Sequence, residues 1–297
     1  MRRLLRWLGF AAAGLAAVAI VAALVLYGLS ERALRRNFAL PSAAAARTFT
    51  AALPTDSTSL AEGRRLATIR GCYDGCHGMG ISGGVFIDEP ILARLVAPDL
   101  TAAARRYSNA ELERIIRWGV RPNGRSVVGM PSEMYHGLSD ADLARILALI
   151  RSTPPANGPG PSVMVGPLGR LGLVLGKYHP AAVLALRITA AAPLEAPAAE
   201  DSLALGRYLA QTSCTECHGL DLRGGDGTPA LAIAAAYGPE EFRHFFRTGQ
   251  AKGGRELALM SKVARSRFSY FMDGEVRALH AYLRTLPRQS AASGAQQ

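Results

Sequence analysis

Cys214-Thr-Glu-Cys217-His218 and Cys72-Tyr-Asp-Gly-Cys76-His77 hold all four cysteines of a chain of 297 residues. Related segments precede them, Leu60-Ala-Glu-Gly-Arg-Arg-Leu-Ala67 before the first pair and Leu203-Ala-Leu-Gly-Arg-Tyr-Leu-Ala210 before the second. The two Cys-His-Gly ends lie 141 residues apart. Tyr107, Gly119, Arg125 and Met130 then find Tyr237, Gly249, Arg255 and Met260 at an offset of 130. Arg151-Ser-Thr-Pro154 answers Arg284-Thr-Leu-Pro287 at an offset of 133. Self-similarity at near-constant spacing indicates a duplicated unit. The copies are placed at 57–153 and 201–288, the second shortened by loop deletions between its Cys-His pair and its tyrosine.

Each copy reads as helical with long loops. Ser59 and Glu62 suggest a capping box ahead of the first helix, and Ser202 starts its counterpart. Asn109–Trp118 and Pro239–Thr248 have helical spacing of apolar residues, as do Ser139–Arg151 and Asp273–Arg284 behind good N-caps. No β-type alternation of any length is evident, so the fold class is all-α. Few helices in about 90 residues leave a thin core, and something besides side chains must help to fill it.

The cysteine pairs admit three chemistries. They could be redox pairs outside the cytoplasm, or zinc ligands together with the histidines. The third is covalent haem attachment, for which Cys-x-x-Cys-His is the known pattern. Two thiols one helical turn apart reach the two vinyl groups on one porphyrin edge, and the adjacent His lies beneath the iron. The recurrence of the pattern inside a duplicated unit favours haem at both sites. The first pair has one residue more between its thiols. Four apart is still one face of a helical turn, and Gly75 is placed to absorb the adjustment.

On these residues the chain resembles the class I c-type cytochrome family over both repeats. The resemblance implies two tandem cytochrome c-like domains carrying two haem c groups, bound through Cys72, Cys76, Cys214 and Cys217. It makes His77 and His218 proximal iron ligands. Gly63 and Gly206 would sit where the terminal helices cross. Pro98 and Pro229 would orient the proximal histidines through their carbonyls. The three-residue spacer at Cys72–Cys76 departs from the family pattern and puts the thioether of Cys72 in question.

A distal ligand must be chosen from seven methionines. Met130 and Met260 occupy equivalent repeat positions, each five residues after an equivalent Gly-Arg, and are taken as the axial pair. The repeat partner of Met134 is Ala264, which cannot ligate. His136, His244 and His280 have no counterparts in the other copy. Histidine–thioether ligation raises the reduction potential. With both irons held from two sides there is no open position for peroxide or oxygen, which leaves one-electron transfer.

The chain is basic, with 34 Lys and Arg against 23 Asp and Glu. Residues 1–56 carry a net +5, whereas the halves 57–153 and 201–297 carry only +2 and +3. A nucleic-acid partner is therefore not expected. Arg2, Arg3 and Arg6 precede an uncharged run of 23 residues, Trp7–Leu29. It spans about 34 Å as a helix and is long enough for a bilayer core. It exceeds the apolar region of a cleaved leader and lacks a small-x-small end. Residues 1–30 are accordingly read as a transmembrane anchor, and 31–56 as a linker. Residues 154–200 look like a second linker with Pro/Gly-rich ends. Their apolar middle, Val163–Ala191, either packs between the domains or lies against the bilayer. Residues 289–297 read as a disordered tail.

Because haem is attached after export, the haem domains are placed in the periplasm, on a single-pass protein of a bacterial inner membrane. Its expected work is to carry electrons from a quinol-oxidising complex or periplasmic dehydrogenase to a soluble cytochrome or terminal oxidase. Two rivals are a cytochrome subunit of a larger complex and a dihaem peroxidase, which would need a vacant iron position. The cations Lys252, Arg255, Lys262, Arg265 and Arg267 either steer an acidic partner to a haem edge or pair with propionates and acidic neighbours.

Overall fold

Arg2–Leu34 forms one helix, α1, whose side chains face outward along nearly its whole length; Ser30 is its one buried residue. By length and composition α1 is able to cross a membrane. The computed structural model describes residues 2–41, 49–188, 192–193, 195–225 and 227–287. The proposed tail 289–297 lies outside the described residues, as do parts of both linkers.

The first half contains α2 (Ser57–Ile69), β1 (Gly84–Glu89), β2 (Ala93–Ala97), α3 (Leu100–Arg106), α4 (Asn109–Trp118), α5 (Ser132–Tyr135) and α6 (Asp140–Ser152). Next come β3 (Ser162–Val165), α7 (Pro167–Val174) and α8 (Ala181–Ala185). The second half contains α9 (Ser202–Ser213), α10 (Thr215–His218), α11 (Pro239–Thr248), the short strands β4 (Gln250–Ala251) and β5 (Arg255–Glu256), α12 (Ala258–Ser266) and α13 (Asp273–Leu283).

In each half the first and last helices cross where only glycine fits. A Cβ added at Gly63 of α2 would fall on the carbonyl of Arg145 in α6, and one at Gly206 of α9 on that of Ala278 in α13. Local signals set the helix starts. Asp56, not Ser59, caps α2 by accepting the Ser59 amide at 2.8 Å. Ser59 sits inside the first turn, and Glu62 turns instead to Arg65. Asp201 caps α9, Ser139 caps α6, and Ser108 with Glu111 forms a capping box on α4.

A three-stranded antiparallel sheet, in the order β1-β2-β3, departs from the all-α expectation. Two features hide it from a period-two reading. A bulge between Val85 and Ile87 breaks the alternation of β1, and β3 arrives from the far end of the first half. The sheet also corrects the expectation of an extended linker after residue 153. The Asp99 carboxylate accepts the Gly158 amide at 3.0 Å, and the Asp99 amide donates to Pro159 at 3.0 Å. These bonds clasp the Pro/Gly-rich stretch to the first half. α8 docks there too, through bonds to Ser126 and Val127.

The halves share a polar and apolar seam. Ile69 of α2 belongs to the core of the second half, which is built on Phe242, Phe245, Phe246, Phe268 and Phe271. The Tyr208 hydroxyl donates to Asp142 at 2.7 Å and accepts the Ser139 amide at 3.1 Å. Buried Arg70 donates to Thr212 at 3.2 Å. Arg65 bridges Glu62 of its own helix and Glu275 of α13, both at 2.7 Å.

Two outcomes follow from this packing. Gly206→Ala forces α9 and α13 apart and should cost about 2 kcal/mol, a drop of ~10 °C in the melting of the second half followed by calorimetry. The hydrogen bonds from Arg65 hold the Glu62 carboxyl below its ordinary value. The stabilisation is therefore full above the ordinary carboxylate range and is lost as the pH falls through the depressed folded value. Arg65→Ala should cost about 1–2 kcal/mol at pH 7. Urea midpoints should show that gap shrinking toward pH 3.

Candidate functional site

Gly71, in the left-handed region at φ 74°, ends α2 and turns the chain into the first cysteine pair. Between Cys72 and Cys76 the backbone is not a helical turn: Tyr73 is extended and Asp74 left-handed at φ 53°. One added residue in a helix would swing Cys76 and His77 by about 100°, and the loop avoids this by expelling the extra residue outward. The Asp74 carboxylate then accepts the Gly80 amide at 2.7 Å, and the Cys76 amide closes on Gly71 O at 2.9 Å.

His77 Nδ1–H donates to the carbonyl of Pro98 at 2.9 Å, which leaves Nε2 with its lone pair free to ligate. Cys72, Cys76, His77, Pro98 and Met130 line one cavity of 270 Å³. Apolar residues, Phe86, Leu95, Leu112, Ile116 and Val127 among them, make up most of its wall, and Arg106 and Arg121 also line it. Burial pushes the Cys72 thiol up to about 11. Burial also lowers the basicity of His77, against the opposing bond to Pro98. An apolar cleft with two thiols, a ligating nitrogen, a thioether and two cations has the chemistry to take a flat apolar macrocycle bearing anionic arms. Tyr135, whose hydroxyl donates to Arg70 O at 2.7 Å, also lines it; no repeat partner marks this residue in the sequence.

In the second half the standard spacing keeps its helical turn. Cys214 caps α9, and Thr215–His218 forms α10. Cys214 is buried, its thiol pushed up to about 12 by that burial, and Cys217 is exposed. His218 Nδ1–H donates to Pro229 O at 2.8 Å. Met260, in the first turn of α12, packs half-buried on the second core. Met130 instead occupies a loop ahead of α5, so the equivalent methionines come from different local structures.

The remaining candidates have other work. Met134 is buried in the first core. His136 meets Trp118 edge-on at 4.4 Å. His280 bonds the carbonyls of Ala234 and Tyr237, and His244 is exposed. Among the described residues, no group of three or more His, Cys, Asp or Glu is placed to hold a bare metal ion.

Arg267 is the residue that sequence reasoning undervalued, having counted it as one cation of a surface cluster. Its guanidinium lies against Gly71, 4.0 Å from Cys76 Sγ and 3.6 Å from the carboxylate of Glu216. The cysteine segments of the two halves therefore face each other across one arginine. Two of the other four cations are paired within the second half. Arg265 forks onto Glu256, and Lys252 meets Glu241 at 3.2 Å. These contacts favour pairing over steering at those two positions; Lys262 is exposed.

Residues 203–287 match the cytochrome c family model. The second half is thus a cytochrome c domain, and Cys214, Cys217 and His218 fall within it. The chain is also similar to the cytochrome c subunits of alcohol dehydrogenase (quinone) from Gluconacetobacter polyoxogenes and Komagataeibacter europaeus. Identity to each is 23% over 75% of this chain and 54% of the relative. The chain spans about half the length of these curated relatives.

The cytochrome c domain implies covalently bound haem c, and Arg267 places a fixed positive charge beside the Cys214–His218 turn of that domain. Arg267→Gln should lower the reduction potential of that haem by about 50 mV, the effect of one charge within ~10 Å at partial screening. Spectroelectrochemical titration measures the shift.

Proposed function

We propose that the chain is a membrane-anchored dihaem cytochrome c that carries single electrons. One haem would be held by Cys72, Cys76, His77 and Met130, the other by Cys214, Cys217, His218 and Met260. The observation that carries this reading is the recurrence, in both halves, of a Cys-Cys-His segment whose histidine Nδ1–H rests on a proline carbonyl. Bound haem supplies a reversible one-electron iron couple. The proline carbonyls fix each ring so that Nε2 is the ligating atom, the apolar walls exclude water, and Arg106 and Arg121 are placed to meet propionates in the first half. With His77 and Met130 holding one iron and His218 and Met260 the other, neither would keep a vacancy for a reactant, and the chemistry supplied would be electron transfer rather than peroxidase turnover.

The donor is a quinol-oxidising complex or a periplasmic dehydrogenase, and the acceptor a soluble cytochrome or terminal oxidase. Similarity to cytochrome subunits of a quinone-linked dehydrogenase favours the form in which the chain is itself a subunit of such a complex. α1 spans the inner membrane, with the haem domains on the periplasmic side.

Mass spectrometry of the full chain extracted from membranes should find two covalent haems. The oxidised spectrum should carry a methionine-to-iron charge-transfer band that Met130→Ala and Met260→Ala each reduce by about half. A single haem, or ready uptake of cyanide by the unaltered ferric protein, would overturn the reading. Co-purification with a dehydrogenase separates the subunit form from the free carrier.

A further inference from the structure

The apolar middle of residues 154–200 leaves Leu168, Leu171 and Leu175 exposed, whereas Leu186 packs on the Phe38, Val120 and Ala182 cluster. α7 buries Gly169 and Gly172 against Leu92 and Tyr178. Leu168 and Leu171 of α7, with Leu175 at its C-terminal cap, stand one and two turns apart on an adjoining face, 40–64% exposed. A helix in water presents the opposite arrangement. Ile91, in the turn between β1 and β2, joins this patch, because the Leu168 amide donates to its carbonyl at 3.0 Å; its side chain is 57% exposed.

The place of α7 indicates what covers the patch. Arg170 turns inward to α1, donating to Ser30 Oγ at 2.7 Å and to Glu31 at 2.9 Å. Its guanidinium sits 4.1 Å from the Tyr27 ring centroid. α7 is therefore pinned to α1 where the uncharged run Trp7–Leu29 ends, at the level of an interfacial tyrosine. Exposed Arg32, Arg35, Arg36 and Lys177 lie nearby in the chain, the kind of side chain that meets anionic headgroups.

We propose that α7 and the Ile91 turn lie in the interface of the bilayer that α1 spans, with Leu168, Leu171 and Leu175 among the upper acyl chains. The inference rests on the anchor reading given under Proposed function. It has a consequence for electron transfer. β3 runs directly into α7, and Val163 of β3 lines the cavity of His77. Bilayer contact would thereby hold the first half close to the membrane surface, facing a membrane-embedded donor.

The test uses the full chain in discs of phosphatidylethanolamine and phosphatidylglycerol doped with a phospholipid carrying a photoreactive diazirine near the head of one acyl chain. After illumination and trypsin digestion, adducts should appear on Trp7–Arg32 and on Leu171–Lys177. The yield on Leu171–Lys177 should exceed that on Phe268–Arg277 at least tenfold. In Leu171→Asp/Leu175→Asp it should fall to the Phe268–Arg277 level while Trp7–Arg32 stays labelled. Labelling of Trp7–Arg32 with Leu171–Lys177 at background overturns this inference and leaves the anchor standing. Absence of label from both overturns the anchor reading and this inference with it.

Discussion

A histidine ring held by its Nδ1–H on a proline carbonyl is the constraint around which each half is arranged. The bond fixes the tautomer and aims Nε2 away from the backbone. Keeping it requires that the cysteine segment and a distant proline stay in register. The chain uses two different supports to that end. In the first half Asp99, next to Pro98, ties the Pro/Gly-rich stretch after residue 153, its carboxylate accepting the Gly158 amide and its own amide donating to the carbonyl of Pro159. In the second, Thr228, next to Pro229, donates to the carbonyl of Cys217 at 2.7 Å. Similar ring geometry is thus reached with different local chemistry.

The seam between the halves is the second organising feature. Tyr208, Asp142, Arg70 and Thr212 form a mostly buried polar network, and Ile69 contributes to the opposite core. Buried polar groups of this kind are costly unless satisfied, so the network specifies one relative placement of the halves. That placement brings the Cys72–Cys76 loop and Glu216 to the same arginine.

Much of the candidate site was legible because its chemistry is carried by short, spaced motifs that recur. The Cys-His segments, the prolines and the two methionines could be matched copy against copy. Other parts had no such record. Tyr135 and Arg267 have no repeat partners, and their importance comes from contacts far along the chain. Asp56 was passed over as the cap of α2 because Ser59 and Glu62 supplied a plausible box three residues later. The sheet escaped notice because a bulge disrupts β1 and because β3 belongs to a stretch whose prolines suggest a linker.

The sequence by itself determined the recurring segments, the paired thiols with their histidines and the uncharged N-terminal run; the place of the crossing glycines was implied by the family resemblance. These are local or periodic properties, set by residue type and spacing. Only the tertiary structure decided that Tyr73–Gly75 bulges rather than coils, that Arg267 stands between the two cysteine segments, and that α7 turns Leu168 and Leu171 outward beside α1. Those outcomes depend on which surfaces meet after the chain has folded. Spacing along the chain does not encode that contact; side-chain packing and the pairing of buried polar groups do.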